Sequence, residues 1–211
     1  MTESDPSYKL GKNHSGFFSV DLGAFRCAVA AGLNPAIAHL IMARGTGREN
    51  RITSWSVNAI EKRTGISRPN AKKAVGILVE RGIWHKTRGG KHPVYESNPG
   101  DQVKGGPFTP DENLALDQIR TRSRLLNVCT AEQFVARGLA SELPRSNSRR
   151  LFKLNEEQIK ALVEPKHVWL PNALIDGAAD EVPPIELIRQ TRNLMALQLL
   201  VEIYAIQFLP D

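Results

Sequence analysis

The residues best suited to doing chemistry are cations. From Arg48 to Lys91 the sequence carries eleven Lys or Arg against three acids, a local balance of +8 in a chain whose whole formal charge is +6. The remaining residues are therefore slightly acidic, at −2. A localised excess of this size suits attraction to phosphate, because each neutralised phosphate releases condensed counterions. Inside the cluster, Arg68, Pro69, Asn70, Lys72 and Lys73 fall within six consecutive positions, so they crowd the first turns of any helix that carries them. Arg and Lys can pair with guanine edges or with phosphate, and Asn can pair with adenine. Arg88 and Lys91 flank a Gly-Gly pair, while Arg51 and Ser56 precede the densest part of the cluster.

Other chemistry finds little support. No nucleophile elbow, paired-histidine metal motif, or His-x-His pattern with an attendant tyrosine occurs in the sequence. Glu156 and Glu157 stand together, but a helix start there explains two acids by their favourable interaction with the helix dipole. Cys27 and Cys129 are the only cysteines; both are expected as small core residues, with neither a disulfide framework nor a zinc site. His39 is expected to be a buried or boundary residue and not a ligand. No catalytic residue, metal or cofactor is assigned, and the protein is expected not to be an enzyme. Gln198, Glu202 and Gln207 interrupt the most apolar stretch, so no membrane span is expected. With no signal-peptide pattern in residues 1–16 and so few cysteines, a cytoplasmic location is expected.

The cations need elements to position them. Ser54 or Ser56 can cap a helix over Val57 to Arg63, closed by Gly65 in a left-handed turn. Ser67 then precedes a helix running to Arg81, with Pro69 tolerated in its first turn. On that helix Ala71, Ala74, Val75, Leu78 and Val79 share one side, leaving Pro69, Asn70, Lys72, Lys73 and Gly76 on the rest. Gly76 costs about 1 kcal/mol of helix propensity relative to Ala. It predicts close packing against the preceding helix, or a close approach of DNA. Ile83 to Thr87 and Pro93 to Glu96 read as two strands joined across Arg88 to Lys91, with Pro93 marking an edge. Asn34 and Pro35 begin a supporting helix, and Asp21 can cap one before it.

The run from Gly65 to Ile83 resembles the turn, recognition helix and exit of winged helix-turn-helix regulators of the GntR kind, and is similar to replication and prophage proteins carrying this module. The resemblance covers about a quarter of the chain. It implies a helix in the major groove, with Arg68, Asn70, Lys72 and Lys73 as groove residues, and a wing along the backbone carrying Arg88 and Lys91.

The expected fold is mainly α with a small β-wing: a flexible tail over 1–16, a winged helix-turn-helix domain over 17–98, a linker over 99–110 rich in glycine and proline, and a mostly helical α+β second domain over 111–211. In that second domain a helix is expected from Ala131 to Leu143, a strand at Leu151 to Leu154, a helix from Asn155 to Val163, an extended piece at His167 to Leu170 and one long helix from Ile185 to Phe208. The last helix leaves little polar surface, so it is either a central core helix or a dimer interface; it also suits the start of a truncated second winged helix in a chain that is a fragment. Arg120, Arg122 and Arg124 read as a solvated helix face, and Arg48 as either a backbone contact or solvated.

Taken together these residues imply sequence-specific binding of double-stranded DNA by a homodimer, as in a bacterial or phage transcriptional regulator. The alternatives are a plasmid or phage replication initiator or partition protein with tandem winged helices, and a protein-interaction or effector-sensing module.

Overall fold

The computed structural model describes residues 16–47, 49–104, 106–121, 126–146, 149–163, 166–177 and 181–207. Within them the chain is mixed α+β with many helices and three small antiparallel sheets, and its buried apolar side chains divide into two cores. The expected tail, Arg48, Arg122 and Arg124 lie outside the described residues.

The first core is built around one helix. Strand β1 (Phe17–Asp21) leads into α1 (Leu22–Ala30), which Asp21 caps by accepting from the Ala24 amide at 2.6 Å. Next comes α2 (Leu33–Arg44), buried without a break from Pro35 to Ala43, as a helix apolar on every side must be. Around it lie β2 (Ile52–Thr53), α3 (Val57–Thr64), α4 (Arg68–Glu80), β3 (Trp84–Arg88) and β4 (Val94–Ser97), the three strands in the order β2-β4-β3. Helix α4 buries Ala71, Ala74, Val75 and Leu78 and packs on α2 and α3. A 3-10 turn at Gly100–Gln102 then lies against α1. A Cβ on Gly100 would fall 2.5 Å from the Gly23 carbonyl carbon, and the Gly100 amide donates to Asp21 at 3.0 Å. This half of the expected linker is therefore packed, and Val103 is buried.

The second core comprises α5 (Pro110–Arg120), α6 (Val128–Ala136), β5 (Ala140–Ser146), β6 (Arg149–Leu154) and α7 (Glu156–Val163), closed over Phe108, Leu116, Ile119, Phe134, Leu139 and Phe152. The chain then returns to the first core. Strand β7 (His167–Pro171) pairs antiparallel with β1, from Phe17↔Pro171 to Asp21↔His167. Helices α8 (Ala173–Asp176), α9 (Pro184–Thr191) and α10 (Leu194–Gln207) add Ile175, Ile185, Leu197 and Val201 to the first core. Residues 106–163 are thus inserted between two segments of one unit, whereas a sequence boundary near 100 assigns everything from 111 onward to a second domain. The reason is that β1 needs β7 as its partner, and the return segments cover apolar surface of the first core.

Four other expectations change. The strand that follows Pro93 is no edge: β4 is the centre of the order β2-β4-β3, and Pro93 is tolerated because it precedes the first paired residue, Val94. The helix expected over Ala131 to Leu143 ends at Ala136, because Gly138 turns with φ 70° and residues from Ala140 pair with β6; Pro144 falls where that ladder slips. The long helix expected from Ile185 breaks at Arg192, which adopts φ 56°, and Asn193 caps α10 by accepting from the Ala196 amide at 3.0 Å. Cys27 is buried, and its burial pushes the thiol up to about 12, but Cys129 is exposed on α6.

The inserted unit repeats part of the first. In one, α4 ends at Arg81-Gly82-Ile83 before a hairpin; in the other, α6 ends at Arg137-Gly138-Leu139 before a hairpin. Gly82 and Gly138 have φ of 72° and 70°. The Ile83 amide donates to Leu78 O at 2.9 Å and the Leu139 amide to Phe134 O at 2.8 Å, a helix-closing bond of the Schellman type. Each hairpin ends alike, Asn98 N donating to Ile83 O at 3.0 Å and Asn155 N to Leu139 O at 2.8 Å.

Candidate nucleic-acid interface

Helical spacing and burial set one row of α4 outward. Pro69, Lys72, Lys73, Gly76 and Glu80 are all exposed, opposite the buried Ala71, Ala74, Val75 and Leu78. Gly76 has no neighbour within 4 Å of the position a Cβ would take. The expectation that it packs closely on the preceding helix is therefore overturned; it leaves a gap on the cationic row instead. Ser67 stands at the N-cap without a side-chain bond to the first-turn amides, and Asn70 is exposed beside it.

The turn before this helix is rigidly held. Gly65 adopts φ 58° at the end of α3, as only a residue without a Cβ does at little cost. Arg68 reaches back from α4 to α3, its Nη1 donating to Asn58 Oδ1 at 2.7 Å and to Glu61 Oε2 at 3.2 Å. It keeps 63% of its side chain exposed, so part of its donor fork still faces outward. Ser56 is the half-buried N-cap of α3 and makes no side-chain capping bond; the hydroxyl that orders this corner is Thr53, which accepts from the Trp55 amide at 3.0 Å.

Behind α3 lies a cluster the sequence did not reveal. The Arg63 guanidinium sits 3.7 Å from the centre of the Trp55 ring, and Arg44 approaches the same ring at 5.6 Å. Asp176, from the return segment, accepts from Arg44 Nη2 at 2.6 Å and from Arg63 Nε at 3.3 Å. Burial lowers the Arg63 pKa, with the hydrogen bond that Arg63 donates to Asp176 acting in the other direction. Gly45 is required here by space, since a Cβ would fall 2.2 Å from Trp55 Cγ. The return segment thereby locks α2 to α3.

The hairpin stands beside α4. Strand β3 is buried only at Trp84, and His85, Lys86, Thr87 and Arg88 are exposed, with Lys91 and His92 exposed in the connection. Trp84 anchors the base: its Nε1 donates to His39 Nδ1 at 3.0 Å, beneath ring contacts of His39 with Trp84 and Phe25. His39 is fully buried and its pKa is lowered to about 4 by desolvation, so its ring is neutral and serves as an acceptor. Its Nε2 has no hydrogen-bond partner among the described residues.

Both units carry cations with and without a partner acid, and the first carries more without one; in the second, Lys153 and Lys160 are exposed with no acid within ion-pair distance among the described residues. Among the described residues Lys62, Lys72, Lys73, Lys86, Arg88 and Lys91 have no acid within ion-pair distance. Arg51, just before β2, is paired with Glu96 on β4, and Arg68 with Glu61. Arg81 is half-buried and engaged by the backbone: it donates to the carbonyls of Cys27, Gly106 and Phe108, each at 3.2 Å, tying α4 to the start of the insertion. In the second unit Arg120 pairs with Glu156, Arg137 with Glu112, and Arg150 with both Glu132 and Glu142. Lys62, His85, Lys86 and His92 join the candidate residues; they are cationic or titratable side chains that strand and helix exposure, not spacing alone, brings to the surface.

No helix among the described residues is long and apolar enough to cross a membrane. Comparison with protein-family models, with curated proteins and with solved structures finds no match for this chain.

Proposed function

We propose that the chain binds double-stranded DNA sequence-specifically through a winged helix-turn-helix formed by α2, α3, α4 and the β3–β4 hairpin, as a non-enzymatic bacterial or phage transcriptional regulator acting as a dimer in the cytoplasm. The observation that carries this reading is the set Lys72, Lys73, Lys86, Arg88 and Lys91, which have no ion-pair partner among the described residues and are spread over an exposed helix row and the neighbouring hairpin, beside the Arg68–Glu61 pair. In this reading α4 enters the major groove. Asn70 reads adenine, Lys73 or the outward part of Arg68 reads guanine, and Arg88 and Lys91 hold phosphates. Pro69 and Ser56 shape the ends of α4 and α3, and Arg51, already paired, contributes at the margin.

The test is selection from a randomised double-stranded pool with the full chain at two salt concentrations. An enriched motif supports the reading. Binding without a motif overturns specificity, and no binding at low salt overturns the reading entirely.

A second reading, a replication initiator or partition protein with tandem modules, draws on one observation, the repeat of the α4–hairpin unit in α6 and its hairpin. The pairing of Arg120, Arg137 and Arg150 with acids weighs against a second DNA reader. The same selection separates the two: an inverted repeat fits the regulator, and a direct repeat at fixed spacing fits the tandem reading.

A further inference from the structure

We propose that the outer face of α10 is a self-association seam that receives the α10 of a second copy of this chain. Leu197, Val201 and Ala205 point into the first core, at 0%, 0% and 4% exposure. On the other side Leu199, Ile203 and Ile206 are 61%, 42% and 69% exposed, with Met195 at 69% beside them. Together with the exposed Ala196 they follow the 3-4-3 spacing of a coiled-coil seam over two heptads.

The chemistry of the face selects its occupant. Glu202 is the one charged residue on α10, and Arg26 engages it through Nε at 2.8 Å and Nη2 at 2.9 Å. The seam therefore offers nothing to a phosphate backbone or to a charged peptide, and it lacks the cations that hold an amphipathic helix on an anionic lipid surface. It is complementary to an uncharged aliphatic helix of the same kind, which a two-fold axis supplies at once, since both copies present the same stripe. A small residue at Ala196 among larger ones gives the relief that interlocking requires. The helix is about 21 Å long, and one such stripe buries less than the roughly 800 Å² per partner of a standard interface. The dimer is accordingly weak.

The seam stands on this helix face alone. Its consequence, two α4 helices presented to paired half-sites, rests on the DNA-binding reading.

Sedimentation of the full chain from about 1 to 500 µM tests it. The expected result is a concentration-dependent monomer–dimer equilibrium, weakened at least tenfold by Leu199→Glu and by Leu199→Lys, with the circular dichroism and melting temperature of each variant unchanged. Mixing the two variants is expected to restore dimers by pairing opposite charges across the seam, which a merely misfolded variant would not do. A monomer throughout the range, a dimer indifferent to both substitutions, or no restoration on mixing would overturn the proposal. A dimer that binds no DNA would leave the seam standing and remove the DNA reading, and a monomer that binds a single half-site would do the reverse.

Discussion

Replacing Gly76 by Ala should make the protein more stable and a poorer DNA binder. An Ala in place of Gly in an exposed helix interior stabilises by about 1 kcal/mol, through lower unfolded-chain entropy and better helix propensity. Nothing opposes that gain here, because the added methyl meets no atom within 4 Å. For a chain of this size the melting temperature should rise by about 2–4 °C. The same methyl would project from the row that carries Lys72 and Lys73. If that row approaches DNA closely enough to need a bare backbone, the methyl separates the surfaces, and a loss of about 1.4 kcal/mol would weaken binding about tenfold. Thermal unfolding by circular dichroism gives the first quantity, and fluorescence anisotropy on the selected site at fixed salt gives the second. Higher stability with unchanged affinity would refute the placement of Gly76 at the contact. Lower stability would refute the open surroundings that the reasoning starts from.

Other perturbations separate the roles of individual groups. Arg88→Ala is expected to weaken all sequences alike and flatten the salt dependence by about one unit, whereas Arg68→Ala relaxes base preference; equal losses for Arg68→Ala on specific and random DNA would contradict its assignment as a reader. His39 has its folded pKa lowered to about 4 from an ordinary 6.5, so the unfolded chain binds the extra proton between those values. Stability is then complete above about pH 6.5 and falls as pH drops toward 4, by roughly 3 kcal/mol in all. His39→Gln, which keeps an acceptor for Trp84, should flatten that slope in denaturant titrations, and an unchanged slope would assign it to other groups. Asp176→Ala strips Arg44 and Arg63 of their shared acceptor and should cost about 2 kcal/mol, a fall of roughly 4–8 °C in melting temperature; a change under about 1 °C would show that the cluster around Trp55 does not hold α3.

Local signals were legible in the sequence where a single residue decides the backbone. Gly65 and Gly82 ended α3 and α4 as their positions implied, and Asp21 capped α1. The buried side of α4 followed from spacing because one uninterrupted helix carries it. What could not be read was long-range. Nothing in the sequence near Phe17 says that its partner strand starts at His167, or that Asp176 will meet Arg63. One local signal was missed: Arg189, Gln190, Thr191, Arg192 and Asn193 are five polar residues in a row, and the break at Arg192 falls inside that run, just before Asn193 caps α10. At the candidate site the residue types were visible, but their compensation was not. Arg81 counts toward a basic cluster until its three carbonyl partners appear, and Arg68 counts as an unengaged reader until Asn58 and Glu61 do.

On the DNA-binding proposal, that compensation would divide the labour between the two helix–hairpin units. Both close their helix with Arg-Gly and an apolar residue, and both return to the same carbonyl after the hairpin, so local backbone chemistry does not distinguish them. The surfaces do. Aligned from their shared Arg-Gly, α4 presents Lys72 and Lys73 where α6 presents Val128 and Cys129, and Gly76 where α6 has Glu132. Glu132 holds Arg150 of the adjoining hairpin, so in the second unit this helix position is spent on an internal ion pair. Exchanging these positions tests the argument at its root. Glu132→Gly with Val128→Lys and Cys129→Lys removes the internal partner of Arg150 and installs the cationic row on α6. If charge compensation alone separates the units, this variant should gain salt-dependent affinity for random DNA of about tenfold, with a steeper salt slope. An unchanged slope would refute charge compensation as what separates the two units.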